Sequence, residues 1–139
     1  MISYEEEIKR YEEILGVSGE KIVVSMATLR KYIKYLQKEL EMPCELTGID
    51  DFQWEEYYVL GPGDSDEYEK LKKTRPSYTD TFKLIAVEND ITDKRLGIMV
   101  SVRRGRQKFY LPLQDLEATD KKSLNYKLID EYCSWIVNY

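Results

Sequence analysis

The sequence contains no histidine and only two cysteines among its 139 residues. The absence of histidine excludes an imidazole general base, a catalytic triad built on histidine and a zinc site with imidazole ligands. Cys44 and Cys133 are too few for a cysteine-rich site, so any metal would be a hard cation bound through oxygen atoms. Both cysteines lie among apolar residues, which favours reduced, buried thiols over a disulfide.

Motifs of common enzyme families are also missing. Gly61-Pro62-Gly63 lacks the spaced glycines and the Lys-Ser/Thr pair of a phosphate-binding loop, and no G-x-S-x-G occurs. Acidic residues are numerous enough to form a catalytic carboxylate pair, but no pair stands out. We therefore expect a protein that is not an enzyme.

Long apolar runs are absent as well. No stretch approaches the roughly 20 apolar residues of a membrane span, and residues 1–15 carry no basic segment before an apolar run. We expect a cytoplasmic protein with no membrane partner. The net charge of −5, from 21 basic and 26 acidic residues, argues against nucleic acid as a partner.

Two basic clusters run against this acidic balance. Lys31, Lys34 and Lys38 are expected to line the outer, solvated face of a helix. Arg103, Arg104, Arg106 and Lys108 surround a predicted hairpin turn next to two aromatic residues, a pattern that also occurs in nucleic-acid-binding proteins. Because hairpin tips are commonly charged for solubility, we favour the solvated interpretation and expect no nucleic-acid partner.

Residues 96–118 organise the predicted fold. Ile98, Val100 and Val102 alternate with polar residues, as in a strand with one buried face. Gly105 can adopt the positive φ of a tight hairpin turn, and the chain is expected to return through residues 108–111 before Pro112 ends the pairing. Leu113 and Leu116 should anchor a following helical turn on the core.

The remaining pattern predicts one α+β domain over residues 1–139. Its core is a small bent antiparallel β-sheet, which we expect to form an SH3-like barrel flanked by N-terminal and C-terminal helices. Capping residues and apolar stripes predict helices over residues 4–15, 26–41, 65–73 and 124–137, and strands over 44–49, 54–60 and 81–87. Residues 1–41 thus form a helical part, 43–118 the β core and 50–79 an insertion within it.

Acidic residues gather in several clusters. No contiguous EF-hand loop is present: after Asp64 and Asp66, Tyr68 stands at the fifth position and Glu69 replaces the required glycine. A calcium site would therefore draw its carboxylates from segments that are distant in the sequence. An acidic surface is by itself more typical of solvation than of coordination.

Three stretches of the sequence form a recognisable combination. The first is a helix end, a proline and a strand at residues 35–45, with Met42-Pro43-Cys44-Glu45. The second is the strand-turn-strand at residues 105–117, with Leu111-Pro112-Leu113-Gln114-Asp115-Leu116-Glu117. The third is Asp130-Glu131-Tyr132-Cys133-Ser134-Trp135. Together they resemble a small family of bacterial calcium-binding domains, typified by the cyanobacterial calcium-binding protein CcbP.

The resemblance implies a non-EF-hand calcium-binding protein that acts as a buffer or a sensor. Acids inside the matching blocks are the implied ligands: Asp115, Glu117, Asp130 and Glu131. The loop before the hairpin could add Glu88, Asp90 and Asp93. Calcium is thus the expected cofactor and partner, bound with micromolar or weaker affinity because no single loop preorganises the ligands.

A metal-free SH3-like interaction module is the alternative. Convergence of four or more oxygen ligands on one point would favour the calcium interpretation. An exposed aromatic groove, formed for instance by Trp54, Tyr57 and Tyr58, would favour a module that binds another protein.

Overall fold

The computed structural model describes residues 3–139. Five helices and five strands follow one another along the chain: α1 (Tyr4–Leu15), α2 (Met26–Glu39), β1 (Glu45–Gly48), α3 (Glu56–Val59), α4 (Ser65–Leu71), β2 (Thr81–Val87), β3 (Met99–Arg104), β4 (Gln107–Pro112), β5 (Leu116–Ala118) and α5 (Leu124–Asn138). Single 3-10 turns lie at Gly19–Ile22, Gln53–Glu55 and Leu113–Asp115. Within residues 3–139, no helix combines the length and the apolar character needed to cross a bilayer.

The strands form one antiparallel sheet in the order β4-β3-β2-β1-β5. The predicted α+β class is therefore confirmed, and β2 lies at the centre of the sheet as expected. The sheet is open: in the described chain, β4 and β5 are opposite edges and do not pair with each other. The barrel form is accordingly not found.

The predicted hairpin is confirmed, although the pairing does not stop before Pro112, which is in register with Met99. Val100 and Val102 are fully buried, and their strand pairs residue by residue with β4. The two-residue turn consists of Gly105, with φ of +60°, and Arg106, whose φ is negative. A positive φ at the first position alone matches a type II′ turn, whose twist suits the right-handed twist of the strands.

Polar side chains cap the N-termini of four helices at the positions that the sequence predicts. Ser3, Ser25, Asp64 and Ser123 each accept a hydrogen bond from the backbone N–H three residues later. Tyr32, Leu36, Leu128, Tyr132 and Trp135 are then buried under the sheet with the apolar residues of β2 and β3. Tyr4 and Leu124, expected on the same stripes, are exposed because each lies at the first position of its helix.

The strand predicted at residues 54–60 is wrong. The chain there forms a 3-10 turn followed by α3, and Trp54 contacts Tyr58 with ring centroids 6.1 Å apart. That four-residue spacing is helical. In β2, a bulge between Leu84 and Ala86 shifts the register, so that Val87 is buried on the same side as Phe82 and Leu84.

Two polar side chains hold residues 50–79 in place: Glu55 joins parts of the segment to one another, and Arg104 joins the segment to β3. The buried carboxylate of Glu55 accepts hydrogen bonds from the backbone N–H groups of Phe52 and Tyr78. Arg104 contacts the Asp80 carboxylate and donates to two carbonyl oxygens just after α4. Arg104 thus connects β3 to the segment that follows α4, and its charge is not free at the hairpin tip. The interpretation of residues 50–79 as an insertion stays a prediction.

Candidate functional site

The structure separates the seven candidate metal ligands into two groups. Glu88, Asp90 and Asp93 lie in the loop between β2 and β3. The other four lie on neighbouring elements, because α5 packs on the Leu113–Asp115 turn and on β5. Asp115 belongs to that turn, Glu117 to β5, and Asp130 and Glu131 to α5. The four acids that come from the resemblance therefore occupy one region of the molecule.

The Cys133 thiol marks the centre of this region. Burial raises the pKa of the thiol to about 12, and the carboxylates of Asp130, Asp115 and Glu117 add to that rise. The sulfur atom lies 3.9–4.0 Å from three backbone carbonyl oxygens, those of residues 113, 114 and 116. The charges of three acids from three elements thus act on the same buried thiol, which also lies next to several backbone oxygens.

Asp115, Glu117 and Asp130 form no ion pair within residues 3–139. Asp115 has much of its surface exposed, yet neighbouring protein atoms displace water from its carboxyl group and raise its pKa. Loss of hydration without a compensating cation disfavours the charged form of a carboxyl group. We define these three residues as the acidic group.

Glu131 has a different role. Its carboxylate binds the Arg10 guanidinium at 3.0 Å, and Arg10 also donates to the Tyr35 hydroxyl at 2.6 Å. The Tyr11 hydroxyl donates to the Glu131 carbonyl oxygen at 2.8 Å. Hydrogen bonding to Glu131 raises the pKa of Arg10 further above its usual range. Glu131 therefore joins α5 to α1 and, through Arg10, to α2. Its negative charge is already paired with Arg10.

Among the acids of the loop between β2 and β3, Asp93 also forms an ion pair with an arginine. Arg95 donates to Asp93 through its backbone N–H at 2.8 Å and its guanidinium at 3.1 Å, and these bonds lower the pKa of the Asp93 carboxyl. Glu88 and Asp90 carry no ion pair among the residues described. Within residues 3–139, the acidic group included, no three acids or cysteines lie close enough together to hold a metal ion as they stand.

The aromatic residues that would support the alternative are partly used in packing. The Trp54 indole donates to the Pro76 carbonyl oxygen, and Tyr58 stacks on Tyr68 with ring centroids 5.3 Å apart. Tyr57 is 56% exposed and Leu60 is 79% exposed. The segment therefore presents a small apolar patch, but not the groove expected from Trp54, Tyr57 and Tyr58 together.

Sequence reasoning missed the partners that define these environments. Arg10 and Glu131 are 121 positions apart, and no local pattern links them. The sheet register places Lys83 beside Arg103, and neither residue is near the other in the sequence. The available signal was the predicted pairing of residues 81–87 with the hairpin, which fixes such neighbours only once the bulge is known.

Comparison with known proteins identifies the fold. No protein-family model matches the sequence, and no curated protein matches it either. Among solved structures, the crystal structure of Anabaena CcbP superposes with a TM-score of 0.62 and 17% sequence identity, over 98% of this chain and 93% of that one. The chain has the fold of Anabaena CcbP. The resemblance in the sequence is thus confirmed at the level of the fold, along almost the whole length of both chains.

Proposed function

We propose that the protein binds calcium through the acidic group of Asp115, Glu117 and Asp130. The observation that carries this proposal is that three unpaired carboxylates come from elements that pack on one another, near enough for their charges to raise the pKa of the Cys133 thiol. The fold shared with Anabaena CcbP supports it, because the family that the sequence resembles is one of calcium-binding domains.

The chemistry of the acidic group fits the ion. Carboxylate and backbone carbonyl oxygens are the ligands that calcium prefers, and calcium tolerates irregular geometry. Magnesium requires near-octahedral geometry and loses its waters reluctantly, so it should bind more weakly here. The carboxylates must approach one another further to share an ion, and the repulsion between them keeps the expected affinity at micromolar or weaker. Such a site would suit a buffer or a sensor.

The other candidate ligands would contribute at a cost. Glu131 would have to leave Arg10, and Asp93 would have to leave Arg95. Glu88 and Asp90 have no such commitment within residues 3–139, but they lie in a different loop. We therefore rank these four acids behind the acidic group.

Calorimetric titration with CaCl₂ and MgCl₂ tests the proposal, together with thermal unfolding. Calcium should release or absorb heat and should raise the melting temperature, with a gain of about 2.7 kcal/mol at 100 times the dissociation constant. Replacing Asp115→Asn and Glu117→Gln together should weaken calcium binding by about tenfold or more, since two of the ligand charges are lost.

The matched control is Glu13→Gln with Glu56→Gln, which removes the same charge from exposed positions on α1 and α3. This pair should leave the calcium affinity within about twofold of the original value. If millimolar calcium changes neither the heat signal nor the melting curve, the protein does not bind calcium.

A metal-free interaction module is the second candidate, favoured by the exposed Tyr57 and Leu60 side chains. Tyr57→Ser with Leu60→Ser separates the two functions. This change should leave the calcium titration unaltered if the acidic group is the functional site, whereas a module would lose its apolar contact surface.

A further inference from the structure

Three cations stand side by side on the exposed face of the sheet. Lys83 of β2 pairs with Arg103 of β3, which in turn pairs with Lys108 of β4. All three residues are exposed. Because neighbouring strands are about 4.8 Å apart, the three side chains start within roughly 10 Å of one another. We call these three residues the basic row.

No acid compensates the basic row. Glu45 of β1 is in register with Lys83, but its carboxylate accepts a hydrogen bond from the Thr119 hydroxyl at 2.9 Å. Within residues 3–139, none of the three cations takes part in an ion pair. Like charges directly opposite one another destabilise a sheet, so the row lowers stability, and the Tyr110 ring 5.3 Å from the Lys108 ammonium group offsets this only in part.

An apolar depression adjoins the row. It has a volume of about 500 Å³ and is lined by Met42, Pro43, Leu84 and Ile85, with Lys83 and Arg103 at its border. The side chain of Met42 is 54% exposed, and that of Ile85 is 37% exposed. Positive charge and aliphatic surface therefore meet at one place on a molecule whose net charge is negative.

We propose that this face docks an acidic segment of a partner protein that also carries a large apolar side chain. Carboxylates of the partner would neutralise the basic row, and the apolar side chain would fill the depression. Charge complementarity of this kind steers association and fixes orientation. Single-stranded nucleic acid is the competing occupant, since its bases could stack on Tyr110, which is 59% exposed and lies beside Lys108. The aliphatic depression favours an apolar side chain over a base.

The test uses a fluorescein-labelled random copolymer of glutamate and tyrosine, with polyglutamate as the purely acidic probe, and follows fluorescence anisotropy. The copolymer should bind more tightly than polyglutamate, and its affinity should fall as salt is added. The triple variant Lys83→Gln, Arg103→Gln and Lys108→Gln should bind the copolymer about tenfold more weakly.

The matched control is Lys31→Gln, Lys34→Gln and Lys38→Gln, which removes three exposed cations from α2. It should change the affinity by less than about twofold. A further pair, Met42→Gln with Ile85→Ser, should weaken binding of the copolymer and leave binding of polyglutamate unchanged. Circular dichroism verifies folding, and the single change Arg103→Gln replaces the triple variant if that variant unfolds.

Three outcomes would overturn the proposal. The first is an equal loss of binding in the two triple variants, or no binding at roughly millimolar copolymer. The second is tighter binding of a single-stranded oligothymidylate than of the copolymer. The third is a concentration-dependent dimer, seen by light scattering and lost in the sheet variant, which would make a second copy of the chain the occupant.

Discussion

At the scale of single residues, buried polar groups hold the irregular part of the chain in place. Glu55 is fully buried, and its carboxylate accepts two backbone hydrogen bonds and a third from the Tyr68 hydroxyl at 2.9 Å. A buried carboxylate is stable only when its oxygens are satisfied in this way. Glu55 therefore holds residues 52, 68 and 78 together, in a segment that has no strand pairing of its own.

Glu55→Gln should lower the free energy of unfolding by about 1.5–3 kcal/mol. The neutral amide accepts the two backbone hydrogen bonds more weakly than the carboxylate, and its NH₂ group would face the Tyr68 hydroxyl, which loses its acceptor. Urea denaturation measures the loss. Glu56→Gln, on the neighbouring exposed residue, should change stability by no more than about 0.5 kcal/mol. Equal effects of the two changes would mean that the three hydrogen bonds do not hold the segment.

The two aromatic residues expected to anchor the core differ in burial. Trp135 is fully buried, and its indole donates to the Ile22 carbonyl oxygen at 2.7 Å, whereas Phe109 is half-buried and contacts Phe82 edge-on. Trp135→Ala should cost about 3–5 kcal/mol and Phe109→Ala about 2 kcal/mol. Thermal melting should give a lower melting temperature for Trp135→Ala than for Phe109→Ala. A Trp135→Ala protein that melts like the original would contradict the packing described.

At the scale of elements, the sequence predicts the parts that local chemistry specifies. Caps at Ser3 and Ser25 place α1 and α2, and Gly105 places the hairpin, because each of these residues acts within a few positions. The strand expected at 54–60 fails because Trp54 and Tyr58 contact residues outside the segment, the Pro76 carbonyl oxygen and the Tyr68 ring, which the alternation of residues 54–60 does not reveal. β5 has only three residues and pairs with the distant β1, so local alternation could not reveal it.

Gly105→Ala tests the turn. A Cβ atom added at Gly105 would meet no atom within 4 Å, so the change isolates the cost of a positive φ for a non-glycine residue. That cost is about 1–2 kcal/mol and should appear in the free energy of unfolding from urea titration. Arg106→Ala, at the adjacent turn position with a negative φ, serves as the control and should be nearly neutral. A neutral Gly105→Ala would show that the turn has a different conformation.

At the scale of the whole molecule, the two proposed functions lie on different parts of the sheet. The acidic group lies around β5 and α5, at one edge, and the basic row crosses β2, β3 and β4 toward the other. No residue belongs to both. The sequence predicted the acids of the first region through the family resemblance, but the basic row depends on strand register, which composition and local patterns do not specify.

Burial of tyrosines sets the stability of the whole molecule at high pH. Three of the twelve tyrosines, Tyr11, Tyr32 and Tyr132, are at most 2% exposed, and burial raises the pKa of each phenol above the usual value of 10. The folded chain therefore keeps these protons where the unfolded chain loses them. Unfolding releases protons above about pH 10, so stability must fall as the pH rises.

Above about pH 10, each such tyrosine should lower the free energy of unfolding by about 1.4 kcal/mol per pH unit, which gives about 4 kcal/mol per pH unit for the three. Urea denaturation from about pH 8 to about pH 11 measures the slope. Tyr32→Phe is the decisive variant, because the Tyr32 hydroxyl is buried without a hydrogen-bond partner in the described chain and can be removed with little loss of packing. The variant should match or exceed the original stability at neutral pH and should reduce the alkaline slope by about a third. An unchanged slope would mean that the Tyr32 phenol ionises in the folded protein as it does in the unfolded chain.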